Sequence, residues 1–456
     1  MKIDTKRPEF WISAAGLTVL AAIFLNWCIG ADVTAAGFIA ALLSVTLFAA
    51  VCLRFVPEWV RFWKTGVSDC TEYSQENVPK HIELKIFFSL IAVDIAVVLL
   101  VYLLRRIMGI TGAGETFAES FDFWKCTDSA HYIDIARDWY LSSGDYDRLV
   151  QLVFFPGYPV IMRLFNVVIG NYLYSGMIVS GICFALSGCV IYRLLRLDHS
   201  HSDSIRMIKL LCIMPGAFFF AAPMSESLFM LMCALTIYCA RTDKWLIGCL
   251  FGAYAAFTRS LGITLIVPLL FEAIAGYVRT KNEKGSKKRL IARLALMLIV
   301  PLGFIAYLYI NYRVSGDPFK FMEYQHDNWS QSLGWFFNTA AYQTQMAIKC
   351  STTKVQNMLG LWIPNLIACF GSLVLMFFSV KKMRPSYAAW FIGYYVVAIG
   401  TTWLLSAPRY LIAFFPVPLA LSIVAKGRKN EIAATVTCAV LALLYLCAFV
   451  LRWQVW

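Results

Sequence analysis

"WISAAGLTVLAAIFLNWCI" (Trp11–Ile29) decides the fold: nineteen consecutive residues without one charged side chain. Wound as a helix at about 1.5 Å per residue, such a run matches a hydrocarbon core roughly 30 Å thick. Further runs of comparable length follow at Leu173–Leu195 and Ile432–Val450. Lipid offers backbone amides no partners, so membrane spans are helices or closed barrels. Barrel strands alternate polar and apolar residues, and these runs do not. The expected fold class is an all-α polytopic membrane protein.

Composition agrees. The chain of 456 residues is 60% hydrophobic and 15% charged, with a formal net charge of +13. That surplus belongs with the Lys and Arg of cytoplasmic loops, not with nucleic-acid binding. "MKIDTKRPEF" precedes its apolar run without a small-residue cleavage site, so the first span reads as retained. Fourteen cysteines are scattered, mostly in apolar runs and without metal-ligand spacing; they read as small hydrophobes.

Basic clusters set the topology. Lys2, Lys6 and Arg7 place the N-terminus inside, as do Arg54, Arg61, Lys64, Lys80 and Lys85 for the loop after the second span. "RLLRLDHSHSDSIRMIK" (Arg193–Lys209), "RTDK" (Arg241–Lys244), "RTKNEKGSKKR" (Arg279–Arg289), "KKMR" (Lys381–Arg384) and "KGRKN" (Lys426–Asn430) also fall inside. "FFPGYPVIMRLFNVVIG" (Phe154–Gly170) is short, carries two prolines and holds Arg163, so it reads as an interfacial or re-entrant helix. Counting on this basis gives about 13 spans. Two larger outer stretches remain, near 107–150 and 314–354. No internal repeat is visible.

The first of these stretches contains "TDSAHYIDIARDWY" (Thr127–Tyr140), with three aspartates, a histidine and an arginine. An amphipathic helix at the interface accounts for Asp134, Arg137 and Asp138 opposite Ile135, Ala136, Trp139 and Tyr140. Asp128 and His131 are less well explained, although Asp128 also fits a helix cap. Other outer turns carry "APMSES" (Ala222–Ser227), "FTRS" (Phe257–Ser260), "SGDPFKF" (Ser315–Phe321), His326 and "SAPRY" (Ser406–Tyr410). Each has a plain reading too. Glu226 suits a helix N-terminus, Arg259 and Arg409 suit lipid headgroups, and His326 suits a solvated loop. Asp94 sits mid-span in "IAVDIAVV", where a carboxylate is functional by default, but no partner is evident and it stays outside the candidate site.

Taken in order, these pieces resemble the GT-C membrane glycosyltransferases, and among them the prokaryotic relatives of GPI mannosyltransferase 2. The motifs are Asp128, His131, Tyr132, Ile135 and Ala136; Phe154, Phe155, Pro156 and Pro159; Glu226–Phe229 ("ESLF"); Thr258 and Arg259; Gly316, Asp317 and Pro318; and Pro408, Arg409 and Tyr410. The resemblance spans about residues 84–425. One departure is Thr127, where the pattern has tryptophan before the aspartate; Trp124 lies three residues earlier.

The resemblance implies a GT-C-like bundle in three parts: an added N-terminal two-span hairpin with its cytoplasmic loop (1–83), a glycosyltransferase core (84–425) and a C-terminal span (426–456). It further implies an integral multi-pass protein of the plasma membrane, if prokaryotic, with its active site on the extracytoplasmic side. A sugar, expected to be mannose, would pass from a polyprenyl-phosphate donor to a hydroxyl on a lipid, glycan or protein acceptor, with inversion. Asp128 would be the catalytic base. Arg259 and Arg409 would hold the departing phosphate, with His131, Tyr410, Glu226, Asp317 and His326 binding substrate. No cofactor is assigned; a divalent metal held by Asp128 with Asp317 or His326 is left open, although no ligand spacing supports one. The competing reading is a lipid or small-molecule transporter, which would show repeat symmetry and charged or broken helices at midplane.

Overall fold

The computed structural model describes residues 8–68, 78–112, 114–140 and 148–455. Lys2, Lys6 and Arg7, used above to orient the N-terminus, lie outside them. Among the described residues every regular element is a helix, and one isolated antiparallel bridge joins Leu333 and Thr401. Among them, eight helices are long and apolar enough to cross a membrane: Pro8–Gly30, Ala35–Thr65, Ile82–Ile107, Tyr172–Leu195, Ser260–Thr280, Ser286–Ser315, Val355–Lys382 and Arg428–Val450. Gly157–Ile169, Trp245–Thr258 and Pro385–Ile399 are shorter apolar helices. The count of about 13 expected spans also included shorter runs, near 245–258, 386–405 and 409–425. The all-α, multi-pass membrane reading stands.

The order begins α1 (Pro8–Gly30), α2 (Ala35–Thr65), α3 (Ile82–Ile107), α4 (Asp128–Asp138), α5 (Gly157–Ile169), α6 (Tyr172–Leu195), α7 (His201–Ile213), α8 (Glu226–Arg241), α9 (Trp245–Thr258) and α10 (Ile266–Thr280). It continues with α11 (Ser286–Met297), α12 (Val300–Ser315), α13 (Lys320–Trp329), α14 (Phe336–Thr353), α15 (Val355–Asn357), α16 (Ile363–Ser379), α17 (Pro385–Ile399), α18 (Ala407–Ile412), α19 (Pro416–Val424) and α20 (Arg428–Val450).

Local chemistry sets several boundaries. The Thr34 hydroxyl caps α2 by accepting from Gly37 N, and Gly66 ends that helix at φ 71° with its N–H on Phe62 O at 2.7 Å. Asn171 caps α6 through Tyr174 N, and Ser200 caps α7 through Asp203 N. Helix α6 packs between α3 and α8, and α8 against α9. Its Gly188 lets α3 approach so closely that a Cβ there would lie 2.2 Å from Leu90. The N-terminal pair joins the same core: Phe48 packs on Phe336 and Tyr395, and Phe55 on Phe271.

Helix α5 has 13 residues, or about 20 Å, well short of a crossing. It buries Tyr158 and Met162 while Val167 and Val168 stay more than four-fifths exposed, as an interfacial helix requires. The apolar face of α4 meets protein instead of lipid: Ile135 and Ala136 are fully buried against α5 and α6. Its charges pair among themselves on the open side, Arg137 reaching Asp134 at 2.7 Å and Asp138 at 3.0 Å. The stretch 314–354, expected as an outer loop, is largely helical, with α14 laid along α2.

The residues that the charge pattern sorted to one side meet at one end of the bundle. Arg241 and Arg384 both pair with Asp198, Arg384 also pairs with Glu272, and Arg206 donates to Ser422 O. The residues sorted to the opposite side gather at the other end.

Candidate active site

The approach to Asp128 is built by short-range contacts. A 3-10 turn at Glu119–Trp124 buries Trp124. The Ser129 hydroxyl then donates to Trp124 O at 2.6 Å and accepts from Cys126 N at 2.8 Å, fixing the bend into α4. That bend forces Thr127 to φ 52°, ψ −133°, ground that a β-branched residue avoids and glycine normally fills. Trp139, just past the far end of α4, sits at φ 65°. The short helix is thus held between two strained residues. Arg163 of α5 supports it from below by donating to Arg137 O at 3.2 Å.

Asp128 is not the cap of its helix. Thr127 holds that position and makes no side-chain cap hydrogen bond. The Asp128 carboxylate instead lies 2.7 Å from Nη2 of Arg409. The same Nη2 is 2.5 Å from Glu226 Oε1, which also accepts from Arg409 Nε at 2.7 Å and from Arg259 Nη2 at 3.2 Å. Four residues from four distant segments therefore form one ionic cluster. Side-chain exposure falls from 29% at Asp128 and 11% at Arg259 to 1% at Arg409 and none at Glu226. The cluster is buried, and Asp128 is its most accessible edge.

The surrounding folding explains each placement. Glu226 is the first helical residue of α8 and, like Asp128, makes no cap; its neighbour Ser225 bonds Tyr132 Oη across 3.0 Å. Arg259 is an extended residue at the break between α9 and the turn Ser260–Leu265. The "FFPGYP" motif packs against that break. A Cβ on Gly157 would lie 2.4 Å from Thr258 Oγ1, so only glycine fits, and Tyr254 Oη donates to Gly157 O at 2.8 Å. The turn carrying Arg409 is braced by Asn365, whose Oδ1 accepts from Ala407 N at 2.8 Å, and by Tyr394, which donates to Tyr410 O at 2.8 Å.

Three buried polar atoms of the cluster have no hydrogen-bond partner among the described residues: Glu226 Oε2, Arg259 Nη1 and Arg409 Nη2, the last held by ion pairing alone. Leaving such atoms unpaired costs about 1–3 kcal/mol each. Arg259 lies over the Tyr410 ring at 5.1 Å, and Arg409 over Phe219 at 5.2 Å. Burial works against charge on Asp128, but Arg409, with Arg259 and His131 behind it, holds the carboxyl below the usual carboxylate range. Burial also lowers the His131 imidazole, against the pull of Asp128 and Asp134, so the ring is neutral near pH 7.

His131 stacks on Phe154 at 4.5 Å, beside the cluster. Two expected residues stand apart. Asp317 Oδ1 accepts from Phe319 N at 2.8 Å as a local turn, and His326 is 70% exposed beside Asp327. Helix α13 instead contributes Trp329, 6.1 Å from the Phe154 ring. Sequence reading passed over Trp329, Ser225, Tyr394 and Asn365. Only Asn365 carried a signal, as a lone amide inside the apolar run "WIPNLIACF". Among the described residues no three His, Cys, Asp or Glu side chains are grouped to hold a metal ion.

Residues 113–321 match the family described as mannosyltransferase (PIG-V), bearing out the resemblance read from the motifs. No curated protein matches. Two solved structures do, both of the Archaeoglobus fulgidus oligosaccharyltransferase. One is the apo form (11% identity, TM-score 0.40) and the other a complex with an inhibitory peptide and a dolichol-phosphate (11%, TM-score 0.38). Each match covers 81% of this chain and 56% of that one, so the chain spans little more than half their length.

Proposed function

The chain is related to the mannosyltransferases of the PIG-V family, and on that premise we propose that it is a membrane glycosyltransferase moving mannose from a polyprenyl-phosphate donor to an acceptor hydroxyl. Transfer takes place on the extracytoplasmic face of the plasma membrane with inversion at the sugar. The acceptor oxygen attacks the anomeric carbon as Asp128 takes its proton. The bond from that carbon to the phosphate oxygen breaks, and the electron pair leaves with the polyprenyl phosphate. Two guanidinium groups, Arg259 and Arg409, take up the charge that develops there. The leaving group is already good, so no general acid is needed. Glu226 fixes both arginines, and its free Oε2 is available to a sugar hydroxyl. His131 and Phe154 form an aromatic wall suited to a sugar face.

The observation that carries this reading is the cluster itself. Two carboxylates and two arginines converge in a buried site with donor and acceptor capacity left open. An enzyme acting on an anionic glycolipid needs that combination. A transporter would place its charges near midplane, where Asp94 stands apart from this cluster.

The test is sugar transfer in purified membranes supplied with radiolabelled polyprenyl-phosphate-mannose and native lipid extract. Label should move to a new product with the wild type and not with Asp128→Asn. Equal transfer by both proteins would remove Asp128 from the mechanism. No transfer by either would count against the donor and the activity together.

A further inference from the structure

The free protein holds its base in a poor state for taking a proton. Asp128 is ion-paired to Arg409, and a carboxylate so paired gives up basicity. Arg409 cannot relax toward water, being 1% exposed, and is tied to Glu226 through both Nε and Nη2. Asp128 is the accessible member. It sits on an eleven-residue helix flanked by two residues in strained backbone conformations, so this is the side of the pair that can move. Beside it, Arg259 Nη1 offers a buried guanidinium N–H with no partner among the described residues.

We propose that Arg409 is a donor-operated switch on Asp128: the donor's phosphate displaces the carboxylate from the guanidinium, so that the base is freed only when the sugar is in place. This rests on the transfer reaction proposed above and deepens it. An entering phosphodiester finds Arg259 Nη1 open and Arg409 within reach of the same oxygen set. Two arginines and two carboxylates sum to zero, so the donor brings the cluster to one negative charge. Asp128 moves off while Arg409 stays on Glu226, the phosphate takes the vacated place, and the added anion raises the basicity of Asp128. No bond is made or broken in the switch. After it, the proton lost by the acceptor hydroxyl resides on Asp128, and the phosphate carries away the electron pair of the broken bond. The charge on the site is unchanged by the chemistry, because Asp128 becomes neutral as the phosphate gains its second charge.

The groups facing Asp128 are Arg409 from α18, Glu226 from α8, Arg259 at the end of α9, His131 and Tyr132 from its own helix, and Tyr410. Among these, the arginines keep their charge over any working pH and the tyrosines stay neutral.

The experiment uses the purified full-length protein in detergent, with undecaprenyl monophosphate as the probe. Its affinity is measured for the wild type and for Asp128→Asn. The switch requires the variant to bind at least fivefold tighter, because the competing carboxylate charge is gone. An affinity equal to or weaker than the wild type overturns it. On the wild type alone, the acidic limb of kcat should lie at least one pH unit above that of kcat/KM for the donor, since kcat reports the donor-bound state. Coincident limbs overturn the switch even where the variant fails to fold. A wild type that does not bind the lipid phosphate at all defeats the transfer reading as well. One that binds and transfers with coincident limbs defeats the switch alone.

Discussion

Helix α8 carries an ionic network at each end, and the two have the same composition. Its last residue, Arg241, belongs with Asp198, Glu272 and Arg384; its first, Glu226, belongs with Asp128, Arg259 and Arg409. Sixteen residues of helix keep them about 22 Å apart. The Arg241 end is complete. Arg384 meets both oxygens of Glu272, at 2.6 and 2.8 Å, and Asp198 at 3.1 Å. Arg241 meets both oxygens of Asp198 and donates to Tyr387 Oη at 2.8 Å, while Ser386 adds a second hydrogen bond to Glu272 Oε1. The Glu226 end piles three contacts on one carboxylate oxygen and leaves the other with none. Charges buried to similar depth therefore do different work. The closed network leaves none of its buried polar atoms unpaired, whereas the open one leaves Glu226 Oε2, Arg259 Nη1 and Arg409 Nη2 without a hydrogen-bond partner among the described residues.

The sharpest way to break this contrast is to neutralise one carboxylate at each end. Asp128→Asn should lower transfer by about 1,000-fold, within the range for a lost general base, with a smaller fall in melting temperature in detergent than Asp198→Asn produces. Asp198→Asn should do the reverse, lowering the melting temperature while the protein that remains folded keeps its rate per molecule. Next come the arginines. Arg384→Ala should cost about 3–5 kcal/mol, the toll of stranding a buried partner, and should show as lost folded yield. Arg259→Ala should lower kcat about 100-fold with yield preserved, as read by transfer assays on size-exclusion-purified protein.

The pH dependence sharpens the comparison further. The Asp128 carboxyl titrates lower in the folded protein than its free value of about 3.9, so it stays ionised at every pH above that value. Its contribution to stability is then fully present, and is lost only as pH falls through the lower folded value. Accordingly kcat/KM for the donor should show no carboxylate limb between pH 7 and 4.5. Thr127→Gly should relieve the strain at φ 52° and raise stability by about 1 kcal/mol in thermal melts, where threonine is otherwise held. The smallest effect is expected at His326, which is exposed on α13. His326→Ala should change transfer by less than about twofold, in keeping with a surface residue far from buried chemistry.

Much of the site was legible one residue at a time. Asp128, Glu226, Arg259 and Arg409 were each singled out by the motifs that carry the family resemblance. Their caps and headgroup contacts were equally legible alternatives, and nothing local separates a capping aspartate from a catalytic one. The structure shows only that Asp128 is not the cap: its carboxylate pairs with Arg409, 281 positions away in the chain. Asn365 and Tyr394 were missed for the same reason. A buried amide that braces a turn reads in sequence as an interruption of an apolar run.

The sequence by itself determined that the chain is a helical membrane protein, which residues share a side, and that α5 does not cross. Those properties follow from the length and polarity of contiguous segments against a solvent of fixed thickness. Only the tertiary structure decided that two sets of two arginines and two carboxylates exist, that one is closed, and that the other is not. Completion of a network depends on distances between side chains from separate helices, and hydropathy and spacing along the chain carry no record of those distances.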